Sequence, residues 1–143
     1  MIPEHEQHVR AFYDALAPGH REPLFGLQSA HVVYELPAGM PTGGGRFHGI
    51  VDVFERFVVS FHAALDVRFV PEEFLSDGEQ VVVLGTLEGR TREGDVPIHL
   101  PFVHVWTIRD HLLERLRFFT DTAILARALA EGRRRAQAAT KSR

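Results

Sequence analysis

The sequence predicts an α+β fold, in which helices and strands form separate runs along the chain. Helical spacing of apolar residues dominates the first 65 residues, which contain a single strand-like segment. Between residues 66 and 120, β-branched and aromatic residues dominate, and short turn sequences separate four segments. Because the strands follow one another instead of alternating with helices, this order favours α+β over α/β.

The first helical segment covers residues 4–17 and ends at Pro18 and Gly19. Its apolar residues recur at spacings of three and four and therefore share one face: Val9, Phe12, Tyr13 and Leu16. Residues 22–29 predict a short second helix.

A strand, a loop and a long helix follow. Residues 31–36, HVVYEL, are typical of a strand. Residues 37–46 contain two prolines and four glycines, a composition that predicts a rim loop. Residues 49–65 return to helical spacing and predict a strongly amphipathic helix that packs on the core.

The rest of the chain predicts an antiparallel meander and a last helix. The four strands are predicted over residues 66–75, 80–92, 98–109 and 112–120. Asp110 and His111 form the tightest of the connections between them. Residues 123–131 predict a helix that ends at Gly132, so residues 1–131 are expected to form a single domain. The basic tail, residues 132–143, is expected to be disordered, with a polyanion-binding arm as the alternative.

Composition narrows the classes of function. The chain has 143 residues, of which 45% are hydrophobic and 24% charged, a balance typical of a globular domain. It has no cysteine, which excludes disulfides and thiolate chemistry and fits a cytoplasmic location. The net charge of −3 argues against a nucleic-acid partner, and no apolar run approaches the roughly 20 residues that span a bilayer. The nine histidines show no tight ligand spacing, so no metal site is expected.

Three segments resemble the nuclear transport factor two-like superfamily, and within it the SnoaL-like polyketide cyclases and ketosteroid isomerase relatives. They are AFYDAL in the first helix, VVYELP with the later RFHGIVDVFERF, and PFVHVWTIRDHLLERLRFFTDTAIL. The resemblance implies a cone: a strongly bent antiparallel sheet wrapped around a long helix, enclosing an apolar cavity. It also implies a homodimer formed through the outer face of the sheet. Val103 and Val105 agree, because both sheet faces carry apolar residues here.

His104 is the first candidate catalytic residue. Strand alternation places Phe102, His104 and Trp106 on one face of the sheet. The resemblance implies that this face lines the cavity and that His104 donates a hydrogen bond to a developing enolate. Its reference pKa of about 6.5 also allows titration near neutral pH. The alternative is a structural core histidine.

Glu35 is the second candidate, because the resemblance places a proton-abstracting carboxylate near this point of the strand. A buried carboxylate has a raised pKa and can act as a base. The register is open by one residue: if Leu36 takes the base position instead, Glu35 faces outward.

Further pocket residues follow from the resemblance: Tyr13, Tyr34, Phe57, Phe102, Trp106 and Phe118. Tyr13 lies one residue from the position of an oxyanion-binding tyrosine. Phe118 takes the place of the catalytic aspartate of the cyclases, which argues against their aspartate mechanism because a phenyl ring cannot transfer a proton.

Two functions therefore remain open. The first is a cofactor-free isomerase, cyclase or dehydratase that acts on a small apolar carbonyl compound, such as a steroid-like or polyketide-like molecule. The second is a non-catalytic module that binds an apolar ligand or dimerises.

Overall fold

The computed structural model describes residues 2–16 and 24–141 and has an α+β fold. Its helices are α1 (Glu4–Ala15), α2 (Leu24–Leu27), α3 (Ile50–Asp52), α4 (Val59–Ala64) and α5 (Thr122–Lys141). A π-helical segment, Val53–Val58, joins α3 to α4, and we call these three segments together the central helix. Pro18 and Gly19, where the first helix was predicted to end, lie outside the described residues, as does the predicted start of the second helix.

Six strands form one bent, unclosed sheet. They are β1 (Gln28–Leu36), β2 (Gly45–His48), β3 (Leu65–Asp77), β4 (Gln80–Thr91), β5 (Pro97–Arg109) and β6 (Leu112–Thr120). Their order across the sheet is β2-β1-β6-β5-β4-β3. The four-strand meander is therefore confirmed, whereas β2 forms at the end of the predicted rim loop.

The pairing departs from the prediction at one place, because β1 and β6 run parallel. The other neighbouring strands are antiparallel. The turn between β5 and β6 is as tight as predicted: Asp110 and His111 have φ angles of 52° and 62°. Both angles are left-handed, which is typical of a two-residue hairpin turn.

The inward face of the sheet packs against α1 and the central helix, as the helical periodicity predicted. Residues at alternate positions of the strands are buried, including Val81 and Val83 of β4 and Leu113 of β6. The central helix contributes the buried Val53, Phe57 and Phe61 from one face. Burial of these apolar side chains on the inward face of the sheet is the main stabilising contribution.

The last helix does not end at Gly132 as predicted, because α5 continues to Lys141. Most of the segment expected to be a disordered tail is therefore helical. Gly132 has a packing role: a Cβ atom there would lie 2.2 Å from the Glu93 carbonyl oxygen. A Cβ atom at the turn residue Gly94 would likewise lie 2.2 Å from the Gly132 carbonyl oxygen. Glycine at residue 132 thus allows helix and turn to touch through their backbones, and does not terminate the helix.

Candidate functional site

His104 lies in the middle of β5 and points to the inward face of the sheet, as predicted from strand alternation. Its side chain is 2% exposed, and its strand neighbours Phe102 and Trp106 are also buried. Across the sheet, His104 pairs with Val83 of β4 and with Phe118 of β6. An ionisable ring is thus surrounded by apolar side chains.

Tyr13 of α1 reaches His104 across the interior. The Tyr13 hydroxyl oxygen lies 2.6 Å from Nδ1 of His104. Nε1 of Trp106 lies 3.0 Å from the same hydroxyl and donates to it. The sequence suggested each of these three residues separately, and the structure joins them in one hydrogen-bonded chain.

The hydrogen bonds of this chain favour one tautomer of His104. The Trp106 indole nitrogen is only a donor, so the Tyr13 oxygen accepts from it. The Tyr13 hydroxyl has no other hydrogen-bond acceptor among the described residues, so we assign Tyr13 as the donor and Nδ1 of His104 as the acceptor. Burial lowers the pKa of His104 to about 3, so the ring is neutral near pH 7. A neutral ring that accepts at Nδ1 carries its hydrogen on Nε2. Nε2 is buried and has no hydrogen-bond partner among the described residues.

A cavity of about 860 Å³ lies between the sheet, α1 and the central helix, and His104 forms part of its wall. Four of the predicted pocket residues also line it: Tyr13, Tyr34, Phe57 and Phe118. Further apolar lining comes from Phe12, Leu16, Phe25, Val53, Phe54, Phe61, Phe69 and Leu116. The wall is therefore mostly apolar and rich in aromatic rings, which suits a flat apolar molecule.

Two predicted pocket residues, Phe102 and Trp106, lie behind the wall instead of on its surface. Trp106 is fully buried and contacts the cavity through Tyr13. The Phe102 ring lies 4.6 Å from the His104 ring, centroid to centroid. Phe118 packs edge-on against His104 at 4.9 Å. The position expected to hold a carboxylate in the cyclases is therefore an apolar contact of the histidine.

The prediction that Glu35 points into the pocket is wrong. Its neighbours Tyr34 and Leu36 are buried on the inward face, so alternation turns Glu35 to the outer face. There its carboxylate lies near three guanidinium groups: Arg115 at 2.7 Å, Arg46 at 3.6 Å and Arg117 at 3.8 Å. The hydrogen bond from Arg115 is the main reason that the pKa of Glu35 is lowered. A general base would need the opposite shift.

Two carboxylates lie at the rim of the cavity, Asp66 and Glu88. Glu88 forms an ion pair with Arg68 on the neighbouring strand. It is five residues further along β4 than Val83, the partner of His104. Five residues of strand extend for roughly 16 Å. The rim carboxylates are therefore far along the sheet from the histidine.

The sequence analysis missed Gln28, a buried polar residue of the wall. It was assigned to the second helix, but it begins β1 and is 8% exposed. Its Oε1 accepts a hydrogen bond of 2.6 Å from the Tyr34 hydroxyl. Both side chains line the cavity. No local pattern indicated this role, because it depends on the residue at which α2 ends and β1 begins.

Residues 2–16 and 24–141 contain no group of three or more histidine or acidic side chains arranged to hold a metal ion. Within the same ranges, no helix has the length and apolar character needed to cross a membrane.

Comparison with solved structures supports the NTF2-like fold. The chain is similar to an NTF2-like protein of unknown function from Burkholderia pseudomallei K96243, with 29% identity and a TM-score of 0.82. That alignment covers 90% of this chain and 98% of the other. TerC, co-crystallized with polyporic acid, shares 26% identity over 90% of this chain and 99% of its own, with a TM-score of 0.79.

A candidate SnoaL-like polyketide cyclase from Jannaschia sp. CCS1 has the same fold, with 20% identity and a TM-score of 0.73. The alignment covers 88% of this chain and 91% of that one. A search of curated proteins gives no significant match. The family model for the SnoaL-like domain matches residues 9–116. This range contains most of the sheet, most of α1 and the whole central helix. On that match, this chain belongs to the SnoaL-like family.

Proposed function

We propose that the cavity binds a small, largely aromatic compound with a carbonyl oxygen, and that His104 donates a hydrogen bond to that oxygen from Nε2. The observation that carries the proposal is the buried Nε2 atom of His104, which has no partner among the described residues and is the nitrogen to which we assign the hydrogen. Buried polar groups are normally hydrogen-bonded, so a bound oxygen atom would complete the site. The likeness to TerC, co-crystallized with polyporic acid, supports an oxygen-bearing aromatic ligand.

The same hydrogen bond can serve chemistry. When a ketone loses a proton from its α-carbon, negative charge develops on the carbonyl oxygen, and a donor fixed in an apolar site stabilises that charge. The bonds from Trp106 to Tyr13 and from Tyr13 to His104 point the same way, so each polarises the next. This arrangement supports an isomerase, cyclase or dehydratase that reacts through an enolate.

Non-catalytic binding is the second candidate function. Two observations favour it: Glu35 faces away from the cavity, and Phe118 lies where a carboxylate would assist. Under this proposal, the hydrogen bond from His104 serves affinity alone. Catalysis instead requires a proton acceptor from solvent or from the ligand itself.

Calorimetric titration of aryl ketones and polyporic acid tests the binding. The wild-type chain is compared with His104→Phe, which keeps a flat ring, and with Glu35→Gln, which changes only the outer face. We expect His104→Phe to weaken binding about tenfold, the loss of one buried hydrogen bond, and Glu35→Gln to leave it unchanged. Equal binding by wild type and His104→Phe, or no binding by wild type, would overturn the proposal.

A second measurement separates catalysis from binding. A bound ketone in deuterated water exchanges its α-hydrogens whenever the protein promotes enolate formation, and NMR follows that exchange. Exchange that is faster with wild type than with His104→Phe supports the enzyme. Exchange at the rate measured without protein, with binding intact, supports the non-catalytic module.

We also propose that the chain forms a homodimer through the outer face of the sheet. Val82, Leu84, Val103 and Val105 lie side by side there on β4 and β5, and Phe119 of β6 is 43% exposed. We call these five residues the outer patch. Contiguous apolar surface on a sheet favours association. A cytoplasmic location stays a prediction from the cysteine-free composition.

A further inference from the structure

Gln28 and Tyr34 form a second polar centre in the wall of the cavity, one that the proposed function does not use. Both side chains are buried, at 8% and 4% exposure, among apolar neighbours. The Tyr34 ring lies 5.9 Å from Phe57 and 6.0 Å from Trp106, centroid to centroid. A polar pair in such surroundings is costly unless its hydrogen-bonding capacity is used.

The hydrogen bonds of this pair leave acceptor capacity toward the cavity. The Tyr34 hydroxyl donates its one hydrogen to Gln28 Oε1 at 2.6 Å. Gln28 Nε2 donates to the Leu24 carbonyl at 3.2 Å, which fixes the orientation of the amide. A hydroxyl oxygen that has given its hydrogen still accepts, so Tyr34 presents lone pairs. Burial raises the pKa of Tyr34, which keeps the phenol neutral.

The two polar centres of the cavity therefore have opposite hydrogen-bonding roles. His104 presents a donor, and Tyr34 presents an acceptor. Each ring lies 6.0 Å from the Trp106 ring, centroid to centroid, so a ligand of two or three rings reaches both centres. An acceptor oxygen and a hydroxyl group on one aromatic framework would satisfy them together.

We infer that Gln28 and Tyr34 form a subsite for a hydroxyl group, and that the ligand is a hydroxylated aryl ketone. The inference rests on the proposed function, because it takes the ketone oxygen to be bound by His104. It adds a specificity-determining residue: Tyr34 selects the hydroxylated compound over its parent. The competing explanation is structural, since the pair also ties β1 to α2 through the Leu24 carbonyl.

Matched ligands distinguish the two explanations. Chalcone and its 2-, 3- and 4-hydroxy derivatives share one aryl ketone framework and differ only in the hydroxyl group. Each is titrated by calorimetry into wild type, Tyr34→Phe and His104→Phe. We expect at least one hydroxychalcone to bind wild type about tenfold more tightly than chalcone. Tyr34→Phe should remove that gain, so that chalcone and the hydroxychalcone bind the variant with equal affinity.

The outcomes separate this inference from the proposed function. If no hydroxychalcone gains affinity, or if Tyr34→Phe weakens chalcone and hydroxychalcones by one factor, the subsite is wrong and the pair is structural. If His104→Phe leaves the affinity for chalcone unchanged, the proposed function fails. A hydroxyl gain that nevertheless disappears in Tyr34→Phe would then show that the Tyr34 subsite is right and that only the His104 contact is wrong.

Discussion

At the scale of single residues, His104 owes its chemistry to its surroundings. An exposed histidine titrates near pH 6.5, and the sequence analysis allowed that here. Burial instead lowers the pKa of this side chain to about 3, so it stays neutral. In the proposed site it therefore acts as a hydrogen-bond donor from neutral imidazole, and not as a charged acid.

The buried neutral histidine predicts how stability depends on pH. In the unfolded chain His104 takes up a proton below about pH 6.5, but in the folded chain it does so only near pH 3. Its contribution is therefore complete above pH 6.5 and is lost as the pH falls toward 3. In this range the free energy of unfolding should decrease by at most about 1.4 kcal/mol per pH unit because of this group.

Denaturant unfolding of wild type and His104→Phe between pH 7.5 and pH 4 measures that contribution. The variant should lose less stability on acidification, since it lacks the titrating ring. His99→Phe on the same strand changes an exposed histidine and serves as the matched control. Parallel curves for wild type and His104→Phe would show that the ring takes up a proton as readily in the folded chain as in the unfolded chain, and the buried neutral state would be wrong.

The sequence predicted the direction of His104 but not that of Glu35. His104 lies within a long run of strand residues, so alternation fixes its face. Glu35 lies one residue from the end of β1 and two residues before Pro37, where a shift of one residue exchanges the two faces. The contact between Tyr13 and His104 joins residues 91 positions apart, and no local pattern encodes such a pairing.

At the scale of elements, long-range contacts decided the features that local patterns missed. Gly132 satisfies the local rule for a helix end, yet α5 continues past it because the turn at Gly94 packs against its backbone. The parallel pairing of β1 with β6 likewise depends on the complete sheet. Helix and strand positions followed from periodicity, whereas their ends and partners required the tertiary structure.

The contact between α5 and the turn predicts a large effect for Gly132→Ala. Alanine is normally the better helix former, but its Cβ here would lie 2.2 Å from the Glu93 carbonyl oxygen and 3.0 Å from the Thr91 hydroxyl. We expect a loss of about 1–3 kcal/mol in the free energy of unfolding. Thermal and denaturant unfolding measure it.

Gly26→Ala is the matched control, since a Cβ atom at Gly26 has no neighbouring atom within 4 Å. This control should be neutral or slightly stabilising. If Gly132→Ala were as stable as the wild type, α5 would not touch the turn, and the interpretation of Gly132 as a packing residue would be wrong.

At the scale of the whole molecule, the two faces of the sheet carry different candidate surfaces. Its inward face carries His104 and the cavity, and its outer face carries the outer patch. Along β5, side chains of the inward and outer faces alternate, so each valine of the outer patch is next to an inward aromatic residue or His104. A change on the outer face should therefore alter association and leave ligand binding intact.

Val105→Glu tests this separation. Val105 pairs with Val82 in the centre of the outer patch, so a carboxylate there would be buried opposite its own copy in a dimer. We expect wild type to sediment as a dimer and Val105→Glu as a folded monomer, with dimer affinity reduced more than 100-fold. Val59→Glu changes a half-exposed valine of α4 and should remain dimeric.

Titration of the same variants with an aryl ketone shows whether ligand binding depends on the dimer. If Val105→Glu is monomeric and still binds as wild type does, the two faces act independently and the site is complete in one chain. A monomeric wild type, or a Val105→Glu variant that remains dimeric, would show that the outer patch is not the interface. Loss of binding together with the dimer, in a variant that keeps its thermal midpoint, would mean that pairing of the sheets holds the cavity in shape.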